Sequence, residues 1–159
     1  MKNIKTNVMR ILDKAKIDYK AYNYDTSDEQ IDGISVAQKL GQNPKQVFKT
    51  IITQGHSKNF YVFVIAVDAE LNLKLCASSV NEKSIELIPL NKLTQITGYI
   101  RGGCSPIGLK KSFPCVVDES ALGFPTIIFS AGKKGFQVDM NPKDLEKIID
   151  VQFNKISMK

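Results

Sequence analysis

The chain has 159 residues with 22 Lys and Arg against 16 Asp and Glu, a net charge of +6 that favours a polyanionic partner. A chain of this length forms one domain, residues 1–159, that buries about 70% of its unfolded surface and needs no disulfide or metal for stability. Its longest apolar run, residues 60–67, is far shorter than the roughly 20 residues of a membrane-spanning helix, so a membrane partner is not expected.

Residues 4–67 predict two helices and three strands. A first amphipathic helix is indicated by apolar residues at helical spacing: Ile4, Val8, Ile11, Leu12 and Ala15. Residues 17–24 form a candidate strand, and a helix over 34–40 ends at Gly41, after which Asn43-Pro44 opens another turn as cap and first helical residue. Residues 47–53 and 60–67 predict paired strands, the second buried on both faces.

The second half predicts three helices and three strands. The helices run from Asp68 as cap to Ser79, over 91–96, and from Asn141-Pro142 through Leu145, Ile148 and Ile149. The strands cover 114–117, 126–130 and 136–140. Helices and strands alternate irregularly, which indicates an α/β or α+β domain with a mixed sheet.

The segment 98–111 is the strongest functional signal. It places Gly98, Gly102, Gly103 and Gly108 around Pro106 and ends in Lys110-Lys111. Glycine weakens helix and strand interiors, so such a cluster suits a tight turn or a backbone that a ligand approaches closely. It predicts main-chain N–H groups presented to an acceptor-rich ligand, with a structural hairpin loop as the alternative.

Lys49 interrupts the apolar strand after Phe48. Strand alternation puts its side chain on the face opposite Phe48 and Thr50. The residues alone allow an ordinary surface lysine or a cation held at a binding site.

Other common catalytic sites find little support. Cys76, Cys104 and Cys115 form an odd set without a Cys-x-x-Cys pair, which argues against a disulfide framework and for a reducing compartment. The single histidine, His56, has no spacing to them that suits zinc, and pairing with Cys104 as a nucleophile is disfavoured because His56 lies in a polar connection. The first seven residues lack the apolar stretch of a secretory signal, so we expect a cytoplasmic protein.

Three motifs together resemble the YbaK family of free-standing aminoacyl-tRNA deacylases, relatives of the editing domain of prolyl-tRNA synthetases. The motifs are residues 46–50 (QVFKT), 98–111 and 130–135 (SAGKKG), and the similarity spans roughly residues 5 to 150. It implies a single α/β domain whose mixed, partly barrel-like sheet is flanked by helices.

The resemblance also implies an active site. Lys49, Gly102 and Gly103 match its catalytic residues, and the expected substrate-binding positions are Tyr24, Thr50, Tyr99, Ser105, Ser130 and Gly132. Cations that could contact tRNA phosphates, or be merely solvated, are Arg101, Lys110, Lys111, Lys133 and Lys134. Asp32 stands where the family carries a pocket aromatic residue, which leaves the amino-acid preference open.

The function implied is the deacylation of mischarged tRNA, above all Cys-tRNA(Pro). The cysteine thiol of the substrate would attack its own ester and leave as a cyclic thioester, so no cofactor, metal or protein nucleophile is needed. The expected partners are the acceptor end of the aminoacyl-tRNA and prolyl-tRNA synthetase. The alternatives are a deacylase for another mischarged tRNA, such as Ala-tRNA(Pro), and a tRNA- or nucleotide-binding module without turnover.

Overall fold

The computed structural model describes residues 4–158, within which helices and strands alternate along the chain. The α-helices are α1 (Asn7–Lys14), α2 (Gly33–Leu40), α3 (Leu73–Ser79) and α4 (Leu93–Thr97). Short 3₁₀ helices cover Leu90–Lys92, Glu119–Gly123 and Pro142–Lys147. The strands are β1 (Lys20–Asn23), β2 (Phe48–Gly55), β3 (Phe60–Ala66), β4 (Glu70–Leu71), β5 (Ile85–Leu87), β6 (Cys115–Asp118), β7 (Ile127–Ser130), β8 (Phe136–Met140), β9 (Val151–Asn154) and β10 (Ser157–Met158).

The largest sheet has five strands in the order β5-β2-β3-β6-β9. Its β2–β3 and β2–β5 pairs are antiparallel, whereas β3–β6 and β6–β9 are parallel, so the sheet is mixed as expected. An antiparallel three-stranded sheet, β1-β8-β7, meets it through a parallel bridge between Val47 and Ile128. The described strands form no closed barrel.

Strand β3 is the centre of the core, and its prediction as a doubly buried strand is confirmed. Val62 and Val64 pack with α1 and the three-stranded sheet on one face. Phe63 and Ile65 pack with α3 and β6 on the other, and all four residues are fully buried. This fixed strand holds its antiparallel partner β2, and β2 carries Lys49 at its second residue.

The N-terminal predictions need small corrections. The first helix begins only at Asn7 because Thr6 is its N-cap, accepting a hydrogen bond from the Met9 N–H. The strand predicted over 17–24 is confined to Lys20–Asn23, where it pairs with β8. Asn43 accepts from the Lys45 N–H in a turn that does not extend to a helix.

Two predicted helices, from Asp68 to Ser79 and from Asn141 through Ile149, were wrong over several residues. The chain after Asp68 forms β4 first, and α3 starts only where Asn72 caps it by accepting from the amides of its first turn. The C-terminal segment after Asn141 is a 3₁₀ helix that ends at Lys147 and leads into β9. Val151 and Phe153 favour that change, because β9 extends the large sheet beside β6.

Candidate active site

A cavity of about 450 Å³ lies where the start of β2 meets the N-terminus of α2 and two loops. One loop follows α4 and the other connects β1 to α2, and the end of β7 and the start of β8 complete the lining. Its polar and glycine lining comprises Tyr24, Asp32, Gly33, Lys49, Thr50, Arg101, Gly102, Cys104, Ser130 and Gln137. The cavity therefore combines residues from all three motifs of the sequence.

Lys49, the second residue of β2, lines this cavity. Its neighbour Phe48 is buried in the core, whereas Lys49 itself is exposed. Within residues 4–158 the Lys49 amine has no ion pair and no hydrogen bond. Its positive charge is therefore available to an anionic ligand.

Thr50 adds an unusual polar atom to the same wall. Its hydroxyl oxygen is inaccessible to solvent and finds no hydrogen-bond partner in the described part of the chain. Buried hydroxyls without a partner are costly, and in native proteins they call for an explanation such as a bound ligand.

The glycine loop presents Gly102 to the cavity. Gly102 has a φ of +85°, which an L side chain rarely adopts, and its N–H has no backbone acceptor among residues 4–158. The Gly103 N–H instead donates to the Ile100 carbonyl at 2.9 Å within the turn. Of the two amides expected to face a substrate, that of Gly103 is used within the loop, whereas that of Gly102 has no backbone acceptor among residues 4–158.

Gly103 contributes through close packing. A Cβ on Gly103 would lie 3.2 Å from the Lys134 amide nitrogen and 3.4 Å from the Lys133 Cα, so the two loops touch backbone to backbone. A Cβ at this position would press on the facing backbone, which would have to move by a few tenths of an ångström to accept it.

Three expected substrate residues lie behind the cavity wall. Tyr99, Ser105 and Gly132 do not line the cavity. The Tyr99 hydroxyl donates to the Ile107 carbonyl, and its ring lies 3.1 Å from the position of a Cβ on Gly132. Burial raises the pKa of Tyr99 to about 12. The buried Ser105 hydroxyl accepts from the Ile107 N–H at 3.3 Å. Tyr99 and Gly132 therefore join the 98–111 loop to the 130–135 turn, and Ser105 stabilises the loop itself.

Tyr24 and Ser130 do line the cavity. The Tyr24 N–H donates to the Gly135 carbonyl at 2.9 Å, and the Lys39 amine lies 5.9 Å from its ring centroid. The Ser130 hydroxyl accepts from the Gly132 N–H at 3.1 Å. Both residues are thus anchored by the 130–135 turn or its neighbours.

The expected phosphate-binding cations are all exposed, and only Arg101 lines the cavity. The Lys133 amine lies 5.4 Å from the Phe136 ring centroid, and the Lys134 stem packs beside Gly102. The Lys110 amine is 3.5 Å from the Gln95 carbonyl, and Lys111 is exposed beside it. The lysines therefore lie outside the cavity lining.

Sequence reasoning missed the role of two polar residues in the lining. Gln137 is only 4% exposed and forms a reciprocal amide pair with Gln42, at 2.9 and 3.3 Å. The sequence feature that could have indicated this role is the polar Gln137 within the short strand predicted over 136–140. The sequence shows Asp32 only as a departure from the aromatic residue of the family, whereas in the structure it is the N-cap of α2. The adjacent Gly33 packs so closely on Val67 that a Cβ would clash.

Cys104 lines the cavity but is unsuited to nucleophilic attack. Burial raises the pKa of its thiol to about 12, so the reactive thiolate is scarce at neutral pH. His56 lies exposed after β2 and is not part of the lining. Residues 4–158 contain no group of three His, Cys, Asp or Glu side chains that could hold a metal ion.

None of the described helices combines the length and the apolar character that crossing a bilayer requires.

Comparison with known proteins gives a consistent family. The model of the aminoacyl-tRNA editing domain matches residues 29–148. The Enterococcus faecalis protein EbsC, which is named as a Cys-tRNA(Pro)/Cys-tRNA(Cys) deacylase, is 41% identical over 155 residues, covering 98% of this chain and 94% of EbsC. The Bacillus subtilis protein YwhH is 24% identical over 133 residues, covering 84% of this chain and 81% of YwhH.

Solved structures support the same fold. The hypothetical protein APE2540 superposes with a TM-score of 0.87 at 20% identity, covering 96% of this chain and 100% of that chain. A structure described as a trans-editing enzyme for prolyl-tRNA synthetase has a TM-score of 0.80 at 20% identity, covering 98% of this chain and 100% of that chain. At this identity the likeness establishes the fold alone.

Proposed function

This chain belongs to the aminoacyl-tRNA editing domain family, and on that basis we propose that it is a trans-editing deacylase that cleaves the aminoacyl ester of Cys-tRNA(Pro). The observation that carries the proposal is the 41% identity to a protein named as a Cys-tRNA(Pro)/Cys-tRNA(Cys) deacylase, over nearly the full length of both chains. The cavity supports it, because its lining unites Lys49, which has no ion pair in the described part of the chain, with Gly102, whose N–H has no backbone acceptor there.

Lys49 and Gly102 have complementary roles in this proposal. The ester carbonyl oxygen gains negative charge as its carbon is attacked, and the terminal adenosine carries phosphates close by. A positively charged amine attracts both, and an oriented backbone N–H stabilises the developing oxyanion. Gly103 supports this geometry by holding the loop against Lys133 and Lys134.

The nucleophile comes from the substrate. The cysteine thiol loses its proton and its sulfur bonds to the ester carbon; the bond from that carbon to the ribose oxygen breaks, and the oxygen takes up a proton. The products are a cyclic thioester of cysteine and uncharged tRNA.

The remaining substrate contacts follow from the lining. Tyr24, Thr50 and Ser130 would bind the aminoacyl-adenosine, and Arg101 its phosphates. Lys110, Lys111, Lys133 and Lys134 would attract the acceptor stem from outside the cavity. Tyr99, Ser105 and Gly132 would act by positioning the loops.

We further propose that residues 1–159 form one domain that works in the cytoplasm, without a cofactor and together with prolyl-tRNA synthetase. Docking on the synthetase would place the deacylase where mischarged tRNA is released. The proposal of this partner is motivated by a structure of the same fold that is described as a trans-editing enzyme for prolyl-tRNA synthetase.

The test is the release of amino acid from purified Cys-tRNA(Pro), Cys-tRNA(Cys), Ala-tRNA(Pro) and Pro-tRNA(Pro). We expect fast loss of cysteine, with the cyclic thioester trapped by an added amine, and slow loss of alanine and proline. A preference for Ala-tRNA(Pro) would replace the cysteine assignment by the alanine one. Equal lifetimes with and without protein, while tRNA still binds, would leave a binding module instead of an enzyme.

A further inference from the structure

We propose that Asp32 is the residue that binds the α-ammonium group of the aminoacyl moiety, and so selects substrates with a free amino group. This inference rests on the proposed deacylase function. An aminoacyl ester of tRNA carries both a positive ammonium group and negative phosphates, so its site needs charges of both signs.

The lining of the cavity has this charge pattern. Lys49 and Arg101 are its cations, and Asp32 is the one acidic residue among the described residues that line it. Asp32 forms no salt bridge within residues 4–158, so no cationic side chain there pairs with its carboxylate. Asp32 is exposed, so its carboxylate is accessible to a cationic group of a ligand.

The Asp32 carboxylate is held in a fixed orientation with capacity to spare. One oxygen accepts from the Ser35 N–H at 3.1 Å and the other from the Ser35 hydroxyl at 2.7 Å. A carboxylate offers about four acceptor sites, so each oxygen can take another donor. The hydrogen bonds from Ser35 also lower the pKa of Asp32, which keeps it ionised at neutral pH.

The segment that carries Asp32 also contacts the glycine loop. The neighbouring Ile31 touches the glycine loop, since its Cδ1 would lie 2.7 Å from a Cβ on Gly102. The α-nitrogen of an aminoacyl ester is only two bonds from the carbonyl carbon. A carbonyl oxygen at the Gly102 amide therefore brings the ammonium group towards the segment that carries Asp32.

The competing explanation is that Asp32 only caps α2. Asn caps a helix about as well as Asp and has nearly the same shape, so Asp32→Asn removes the charge and keeps the cap. Glu29→Gln is the matched control, because Glu29 is an exposed acid three positions earlier that does not line the cavity.

The experiment compares Cys-tRNA(Pro) with its N-acetylated form, which lacks the positive charge but keeps the thiol and ester. We expect wild type and Glu29→Gln to prefer the free amine in kcat/KM by about tenfold or more, the usual range for a hydrogen bond to a charged group. Asp32→Asn should lose that preference, chiefly because its rate on the free amine falls.

A binding measurement separates this inference from the proposed reaction. Adenosine carrying cysteine through a 3′-amide cannot be cleaved, so its affinity, with and without an N-acetyl group, is read without turnover. Loss of discrimination only in Asp32→Asn supports the inference. Equal discrimination by Asp32→Asn and wild type, or none in wild type, overturns it. Normal binding of the amide with no cleavage of Cys-tRNA(Pro) would overturn the deacylase proposal alone.

Discussion

Gly103 and Lys134 meet backbone to backbone, with only 3.2 Å between the position of a Cβ on Gly103 and the Lys134 amide nitrogen. This contact joins the 98–111 loop to the 130–135 turn, two segments that both contribute to the cavity. The width of the cavity therefore depends on a packing contact outside its lining.

Gly103→Ala should push the two loops apart. The added methyl group would lie closer to the facing backbone than ordinary van der Waals contact allows, and backbone cannot rotate away as a side chain can. We therefore expect a lower deacylation rate and a loss of about 1–3 kcal/mol in the free energy of unfolding. Urea denaturation and single-turnover rates would measure both. Gly123→Ala is the control, because a Cβ there meets nothing within 4 Å. Equal effects of the two substitutions would mean that the contact between Gly103 and Lys134 does not control stability or rate.

Lys49→Met keeps the aliphatic stem of the side chain and removes its charge. We expect kcat/KM on Cys-tRNA(Pro) to fall about 10²- to 10³-fold, the range for loss of an oxyanion-stabilising group, with little change in melting temperature. Lys45→Met is the matched control, since Lys45 is exposed and pairs with Asp68 outside the cavity lining. Wild-type turnover by Lys49→Met would remove Lys49 from the catalytic site.

Cys104→Ala should keep most of the deacylase activity, because the nucleophile in the proposed reaction is the thiol of the substrate. The raised pKa, about 12, further predicts that Cys104 in the folded protein reacts slowly with a thiol reagent at neutral pH. Mass spectrometry after alkylation would show this, with denatured protein as the fully reactive reference. A covalent cysteinyl adduct on Cys104 during turnover would contradict the prediction.

Asp118 should make the stability of the protein depend on pH. Its carboxylate is buried and accepts from the amides of Ile156 at 2.9 Å, Ser157 at 3.1 Å and Ser120 at 3.2 Å. Burial alone would raise the pKa of Asp118, but these hydrogen bonds together lower it. The stabilisation is therefore present above the pKa of the unfolded chain, about 3.9, and is lost as the pH falls through the lower folded value.

Asp118→Asn should accordingly cost about 1–3 kcal/mol in the free energy of unfolding at pH 7, since one amide loses its acceptor. The difference from wild type should stay constant down to about pH 5 and narrow below about pH 4. Urea titrations at these pH values test it. The control is Glu119→Gln, because Glu119 is the exposed neighbour of Asp118. If the difference in unfolding free energy between Asp118→Asn and wild type were the same at all pH values, the ionised carboxylate would not be the stabilising group.

Much of the fold was predictable because local side-chain patterns carry it. The apolar run of β3 indicated a doubly buried strand, and the left-handed Gly41, with a φ of +65°, ends α2 as predicted. Strand β4 and the late start of α3 were not predictable. A two-residue strand has no periodicity, and β4 exists through its pairing with β10, over 80 residues later in the chain.

The amino-acid sequence by itself determined the residue types of the candidate site: a lysine at the start of an apolar strand, a glycine-rich turn and the family that they identify. Only the tertiary structure decided which of these residues share the cavity. It brought Lys49, Gly102 and Asp32 to one lining, and left Tyr99 and Gly132 behind it as packing partners. The physical reason is that side-chain alternation is local, whereas the approach of distant loops depends on how closely their backbones can pack.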